Sequence, residues 1–213
     1  KRCARSAKLI GAPGRGAVGP RPGDLLLTSS PGRLAGGSTV AGALPVPAAP
    51  ASLSDAISRI PFGEGPQVRV ERYVLADGSA RVVAYVDGTR PGRPDTEPWD
   101  MRSNVQAYLR REESDSYKAT VAALRAAGVD EKTPVDLVGY SQGGMNVDLI
   151  AQSGAFTVQG VYTIGSPVEP ALPGDVVHVA VRHTDDPVAG LAGGGRPDGS
   201  GSAQSVVITR AAV

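Results

Sequence analysis

The sequence predicts an α/β fold with a mostly parallel central sheet and an antiparallel hairpin near its start. Two β-rich runs flank a tight-turn signal early in the chain, and strand-like and helical segments alternate from residue 135 onward. Strands that alternate with helices pair in parallel. The chain has 213 residues, of which 41% are hydrophobic and 20% charged, so it is long enough to bury one core.

Composition excludes several classes of protein. The 28 Gly and 18 Pro residues argue against a long helical bundle, and the single Cys3 cannot form an internal disulfide. No stretch approaches about 18 uninterrupted apolar residues, so we expect no integral membrane segment. The formal net charge of +1 gives no field that would attract nucleic acid.

Residues 1–50 differ from the rest of the chain. They contain seven basic residues and one acidic residue, Asp24, with many glycines and prolines and no aromatic residue. We predict a flexible tail or linker, because little apolar surface offsets the entropy of ordering. The alternative is a structured extension anchored by Leu25-Leu26-Leu27. We expect residues 51–213 to form the folded domain.

The first predicted element of that domain is a short helix from Ser52 to Ile60. Ser52 or Ser54 can cap it, and Pro61 ends it, because proline has no N–H and disfavours helix in the preceding residue.

A β-hairpin follows over residues 68–75 and 79–86. Both runs are rich in β-branched residues, and Asp77-Gly78 between them suits the positive φ angles of a tight turn. Residues 88–98 contain three prolines and two glycines and predict an irregular loop.

The strongest helix signal spans residues 114–128. Serine and aspartate begin it, Val121, Leu124 and Ala127 recur at helical spacing, and Gly128 ends it. The segments that follow predict strands at 135–139, 158–164, 176–181 and 205–209, and a helix at 142–152. In parallel sheets, ligands bind beyond the carboxyl ends of the strands.

One such end carries Gly139-Tyr140-Ser141-Gln142-Gly143, between a predicted strand and a predicted helix. This pattern is typical of a nucleophile elbow, in which the turn is so sharp that only small residues fit beside the serine. Ser141 is therefore the candidate nucleophile, at the end of a helix whose dipole favours negative charge. The alternative is an ordinary serine N-cap among small glycines.

Two further motifs lie beyond later strands: Thr163-Ile164-Gly165-Ser166-Pro167 and His183-Thr184-Asp185-Asp186-Pro187-Val188. With the elbow, they resemble the class 3 (fungal-type) lipases of the α/β-hydrolase superfamily. The resemblance covers residues 67–190 and implies a three-layer sandwich with Asp186 as the catalytic acid. Asp185 is then a solvated neighbour.

The resemblance also implies an oxyanion hole. Those lipases place a hydroxyl residue after an early strand, where Thr89 follows residues 83–88, and the second donor is the backbone N–H of Gln142. Asp87 stands where the family has arginine. Trp99 is expected to anchor the core beneath this loop. Cutinases share the elbow, but they rely on disulfides, which Cys3 alone cannot supply.

The catalytic base that would act between Ser141 and Asp186 has three candidate explanations. His178 lies in mid-strand and is expected to point into a helix layer. His183 is at the correct sheet edge, but the lipases take their working histidine from a loop after a further strand, which residues 205–209 resemble. We expect that histidine to lie beyond Val213, in a longer chain that holds further segments. The alternatives are that His183 is the base, or that the chain is a degenerate hydrolase that only binds.

Together these motifs predict an enzyme: a serine hydrolase that cleaves small-molecule or lipid carboxylic esters through an acyl-serine intermediate. Such a reaction needs no metal or organic cofactor. The alternatives are a non-catalytic binding or secretion-associated module and an acyltransferase that uses the same serine.

Overall fold

A computed structural model describes residues 25–29, 39–44, 48–63, 66–74, 77–89, 114–187 and 201–211. Within these ranges, eight strands and three helices are present. The strands are β1 (Leu25–Ser29), β2 (Thr39–Leu44), β3 (Val68–Val74), β4 (Ala80–Val86), β5 (Val135–Tyr140), β6 (Val158–Ile164), β7 (Val177–His183) and β8 (Ser205–Arg210). The helices are α1 (Leu53–Ser58), α2 (Asp115–Ala126) and α3 (Gln142–Ser153).

All eight strands form one mixed sheet in the order β2-β1-β3-β4-β5-β6-β7-β8. The pairs from β2 to β4 are antiparallel, and those from β4 to β8 are parallel. The predicted α/β class, the antiparallel hairpin and the parallel region are therefore confirmed. The parallel strands end at one edge of the sheet, where the candidate catalytic residues follow β4, β5 and β7.

Residues 1–50 differ from the expected flexible tail, because β1 and β2 lie within them and join the sheet through β3. Leu25, Leu26 and Leu27 all lie in β1, whose backbone pairs with β3. Composition averaged over 50 residues missed these strands because it hides two short apolar runs, at residues 25–27 and 40–44, and because it does not show which strand edge offers backbone donors and acceptors to pair with.

Serine caps begin α1 and α2, as predicted. The hydroxyl of Ser52 accepts the N–H of Asp55 at 3.1 Å, and that of Ser114 accepts the N–H of Tyr117 at 3.1 Å. The first helix ends at Ser58, two residues earlier than expected. Its last turn tightens instead, because the N–H groups of residues 59 and 60 donate to carbonyls three residues back.

The two faces of the sheet bury separate apolar clusters. The larger one packs α2 and α3 against one face, and the smaller one packs α1 against the other. Successive side chains of a strand point to opposite faces, so every central strand contributes to both. The larger cluster includes Val70, Ala84, Leu124, Leu137, Ile150 and Val161, and the smaller includes Ile60, Tyr73, Tyr85, Val138 and Tyr162. None of the helices in the described ranges combines the length and apolar character that a bilayer crossing demands.

A buried charge network ties α1 to the sheet. The fully buried carboxylate of Glu71 pairs with Arg59 at 3.0 Å and with Arg69 at 2.5 Å. It also accepts the hydroxyl of Tyr85 at 2.9 Å and that of Tyr73. Burial, and then the charge of Glu71, raise the pKa of both phenols, so both stay protonated and act as donors.

We expect Glu71→Ala to lower the free energy of unfolding by about 3–5 kcal/mol, because it removes the buried counter-charge of Arg59, which keeps only its pair with the more exposed Asp55, and that of the half-buried Arg69. Urea unfolding followed by circular dichroism measures the change. The control is Glu131→Ala, at an exposed glutamate, for which we expect a change within about 0.5 kcal/mol. Equal effects of the two substitutions would contradict a structural role for the network.

Candidate active site

Ser141 has a strained backbone conformation at the turn between β5 and α3. Its φ and ψ angles are 51° and −115°, and no other non-glycine residue in the described ranges has a positive φ. Such a conformation costs about 1–3 kcal/mol and persists only when its surroundings fix it. The N–H of Ser141 donates to the carbonyl of Ile164 at 2.8 Å, and its carbonyl accepts from Met145 at 3.1 Å.

The hydroxyl of Ser141 does not cap α3. In α1 and α2, by contrast, the N-cap serine accepts an N–H of the first turn. The alternative that Ser141 is an ordinary N-cap is therefore wrong. The serine is half-buried and stands at the carboxyl edge of the sheet, where its hydroxyl can meet a ligand.

The two glycines of the elbow are required because backbone segments approach closely. A methyl group at Gly139 would lie 2.5 Å from the carbonyl oxygen of Gly143. A methyl group at Gly143 would overlap the carbonyl oxygens of Val86 and Asp87. The turn is thus packed between the start of α3 and the end of β4, with no room for a side chain at either position.

The end of β4 also places the predicted oxyanion residues near the serine. A methyl group at Gly88 would lie 3.2 Å from the Cβ of Ser141, and the next residue is Thr89, which is half-buried. Gln142 is the first residue of α3, at the positive end of the helix dipole. The arrangement therefore suits binding of a developing negative charge.

Asp87 and Gln142 are both held by buried hydrogen bonds. Asp87 stands where the lipases have arginine, and its carboxylate accepts the N–H of Gly88 at 2.7 Å. The amide of Gln142 donates to the hydroxyl of Ser116 on α2 at 3.2 Å. Ser116 in turn donates to the side-chain oxygen of Asn146 at 3.3 Å. These two hydrogen bonds of Ser116 connect the start of α3 to α2.

Asp186 follows the end of β7. Its carboxylate lies beside Gly165, the residue that follows the neighbouring strand β6. A methyl group at Gly165 would be 3.2 Å from its Oδ2. The N–H of Ser141 is hydrogen-bonded to the carbonyl of Ile164, the residue before Gly165. Ser141 and the Asp186 carboxylate are therefore next to two consecutive residues at the end of β6. The structure therefore brings both to one edge of the sheet. Asp185 is exposed, as expected for a solvated neighbour.

The two histidines lie in different environments. His178 is buried on the helix side of β7, as predicted, with its Nε2 3.9 Å from Oδ1 of Asp148. His183 ends β7 and is exposed. Within the described ranges, no hydrogen bond or ion pair joins its imidazole to Ser141 or Asp186. Its role as the base stays a prediction.

A buried carboxyl group beneath the elbow was missed by the sequence analysis. The hydroxyl of Ser166 donates to Asp148 Oδ2 at 2.9 Å, which ties α3 to the loop that contains Gly165. Burial raises the pKa of Asp148 well above its usual range, although the Ser166 hydrogen bond and then the charge of Arg182 oppose this. The sequence did contain a signal for this buried acid, because Asp148 is the one charged residue in α3.

Some predicted features lie outside the described residues. These are Trp99, with the loop around it, and Val188 at the end of the motif that contains Asp186. Within the described part of the chain, no group of three or more His, Cys, Asp or Glu side chains is arranged to hold a metal ion.

Comparisons with known proteins give no match. No protein-family model matches the chain, and neither a curated protein nor a solved structure does. The resemblance to class 3 lipases is therefore a hypothesis drawn from the motifs.

We expect Ser141→Gly to raise the free energy of unfolding by about 1 kcal/mol. Removing the side chain relieves about 1–3 kcal/mol of backbone strain, and the greater flexibility of glycine in the unfolded chain offsets about 0.5–1 kcal/mol of that gain. Ser141→Ala is the matched control, because it keeps the Cβ and therefore the strain. Equal stability of the two variants in urea unfolding would argue against a strained turn.

We expect Asp148→Asn to stabilise the protein increasingly as the pH rises above 3.8, the ordinary pKa of the carboxyl. The folded wild type holds this proton to a higher pH than the unfolded chain does, so it loses stability as the pH rises through the folded pKa. The loss is up to about 1.4 kcal/mol per pH unit. Asparagine cannot ionise, yet it can still accept the Ser166 hydrogen bond. Urea unfolding of both proteins from about pH 4 to about pH 8 measures the difference, and a pH-independent difference would contradict it.

Proposed function

We propose that this protein is a serine hydrolase of the α/β-hydrolase type that cleaves carboxylic esters through an acyl-serine intermediate. The observation that carries the proposal is the strained backbone of Ser141, with φ of 51°, at the carboxyl end of a parallel strand. Strain of this kind is retained where function requires it.

The layering of the fold supports the same assignment. Helices α2 and α3 pack on one face of the sheet and α1 on the other, which is consistent with a three-layer sandwich. The nucleophile elbow of that fold occupies the turn from a central parallel strand into a helix, as the turn from β5 into α3 does. The acid also follows the elbow in chain order, as it does in that fold.

In the proposed first step, the oxygen of Ser141 attacks the ester carbonyl carbon while a base removes the hydroxyl proton. The carbonyl oxygen becomes an oxyanion, which the N–H of Gln142 and the hydroxyl of Thr89 stabilise. The C–O bond to the alcohol then breaks, and the protonated base gives its proton to the leaving alkoxide. Water repeats the sequence on the acyl-serine and releases the acid.

Asp186 is proposed to orient that base and to stabilise its protonated form. Asp186 follows β7 and Ser141 follows β5, so β6 lies between them, and two strand spacings of about 4.8 Å separate the ends of their strands by about 10 Å. Two side chains that converge across such a span leave a gap that an imidazole could bridge. His183 is the candidate imidazole among the described residues. The resemblance to class 3 lipases assigns the base instead to a loop after the strand that corresponds to β8.

The test is covalent labelling with a fluorophosphonate, mapped by mass spectrometry, together with hydrolysis of p-nitrophenyl butyrate. We expect labelling at Ser141 and its loss in Ser141→Ala. Asp186→Asn should lower the rate on the order of 10³- to 10⁴-fold, because the base loses its orienting partner. Asp185→Asn is the matched control, one residue away and exposed, and should retain activity.

His183→Asn distinguishes the two candidate bases. If His183 is the base, this variant should lose as much activity as Asp186→Asn does. Retention of activity would assign the base to another imidazole. A folded wild-type protein, tested as its full-length chain with any segment that follows Val213, that neither reacts with the fluorophosphonate nor hydrolyses the ester would contradict the proposed function.

A further inference from the structure

Two exposed aromatic rings lie together beside the candidate nucleophile. Phe62 is 56% exposed and Tyr140 is 41% exposed, and their ring centroids are 5.5 Å apart with an interplanar angle of 75°. This edge-to-face geometry is a favourable contact between aromatic rings. We call the two side chains the aromatic pair.

The aromatic pair adjoins Ser141 directly. Tyr140 precedes the serine in the chain, and a methyl group at Gly88 would lie 2.9 Å from the ring of Tyr140 and 3.2 Å from the Cβ of Ser141. The Tyr140 ring and Ser141 therefore both lie next to Gly88. Phe62 comes shortly after α1, so the pair lies on the α1 side of the elbow.

Exposure of this pair is unusual within the described residues. The other large apolar side chains that are similarly exposed there are Val206, Val207 and Ile208, all on the edge strand β8. Most large aromatic side chains are largely buried, and exposed apolar surface next to a reactive group is typical of a binding site. A ligand that covered both rings would remove their apolar surface from water.

We propose that the aromatic pair binds the apolar group of the ester and makes the enzyme selective for esters with a long alkyl or aryl group. This inference rests on the proposed function, because it assigns the substrate class of the same site. The hydrocarbon group lies across the exposed ring surfaces while its carbonyl carbon meets the oxygen of Ser141. A short acetyl group reaches the serine without covering the rings.

The aromatic pair contributes apolar contact, not hydrogen bonding. Tyr140→Phe should therefore retain the selectivity of the wild type, whereas Tyr140→Ala and Phe62→Ala should lose it. The Phe62 side chain is largely exposed, so its removal should not unfold the protein. Circular dichroism of each variant checks this.

The decisive measurement is kcat/KM for p-nitrophenyl hexanoate divided by that for p-nitrophenyl acetate. We expect the wild type to prefer the hexanoate, and each ring-to-alanine substitution to reduce the ratio about tenfold. A second series with a constant acetyl group, phenyl acetate against ethyl acetate, shows whether the rings bind the acyl or the alcohol side. Val207→Ala, at an exposed apolar residue on β8, is the control and should leave both ratios unchanged.

Failure of the inference is distinguishable from failure of the proposed function. If the wild type hydrolyses esters but Phe62→Ala and Tyr140→Ala leave both ratios unchanged, the aromatic pair is not the binding surface, and the hydrolase assignment stands. If no ester is hydrolysed, titration calorimetry with N-(4-nitrophenyl)hexanamide and N-(4-nitrophenyl)acetamide still tests the surface. Tighter binding of the hexanamide that is lost in Phe62→Ala supports it, and equal or absent binding overturns it.

Discussion

The close approach of three backbone segments at the β5–α3 turn is the constraint on which the candidate site depends. The first turn of α3 packs against the carbonyl oxygens at the end of β4, and Gly139 packs against the carbonyl of Gly143. This packing leaves the chain one way to pass from strand to helix, with Ser141 at a positive φ. The strain at that residue follows from the fit of β4, β5 and α3.

The framework that holds this turn combines apolar packing with buried polar anchors on both faces of the sheet. On one face, Asp148 binds Ser166 and so connects α3 to the loop beside Asp186. On the other face, Glu71 on β3 pairs with Arg59, which follows α1, and accepts a hydrogen bond from Tyr85 on β4. A buried carboxylate is unfavourable unless it is paired and hydrogen-bonded. Each of these contacts therefore pairs a buried carboxyl group that would otherwise be unfavourable.

The surroundings of Ser141 meet different chemical requirements on different sides. Backbone N–H groups at the start of α3 suit a negative charge, and the carboxylate of Asp186 lies beyond β6 on another side. The exposed rings of Phe62 and Tyr140 provide apolar surface next to the serine. In the proposed hydrolase, these would stabilise the oxyanion, orient the base and bind hydrocarbon, respectively. An ester carries a polar carbonyl and an apolar group close together, so it fits such an arrangement.

Local signals such as serine caps, β-branched runs, glycine stops and strand–helix alternation act over a few residues, and they predicted the fold class and the strands and helices from residue 51 onward. The sequence also indicated Ser141 and Asp186, whose positions follow from the rule that ligands meet parallel strands at their carboxyl ends. Only the folded chain shows that β1 and β2 join the sheet, that Asp148 and Glu71 are buried, and that Phe62 contacts Tyr140 edge to face. These features depend on contacts between residues far apart in the chain, and no local periodicity encodes which distant strand edge or side chain will be the partner.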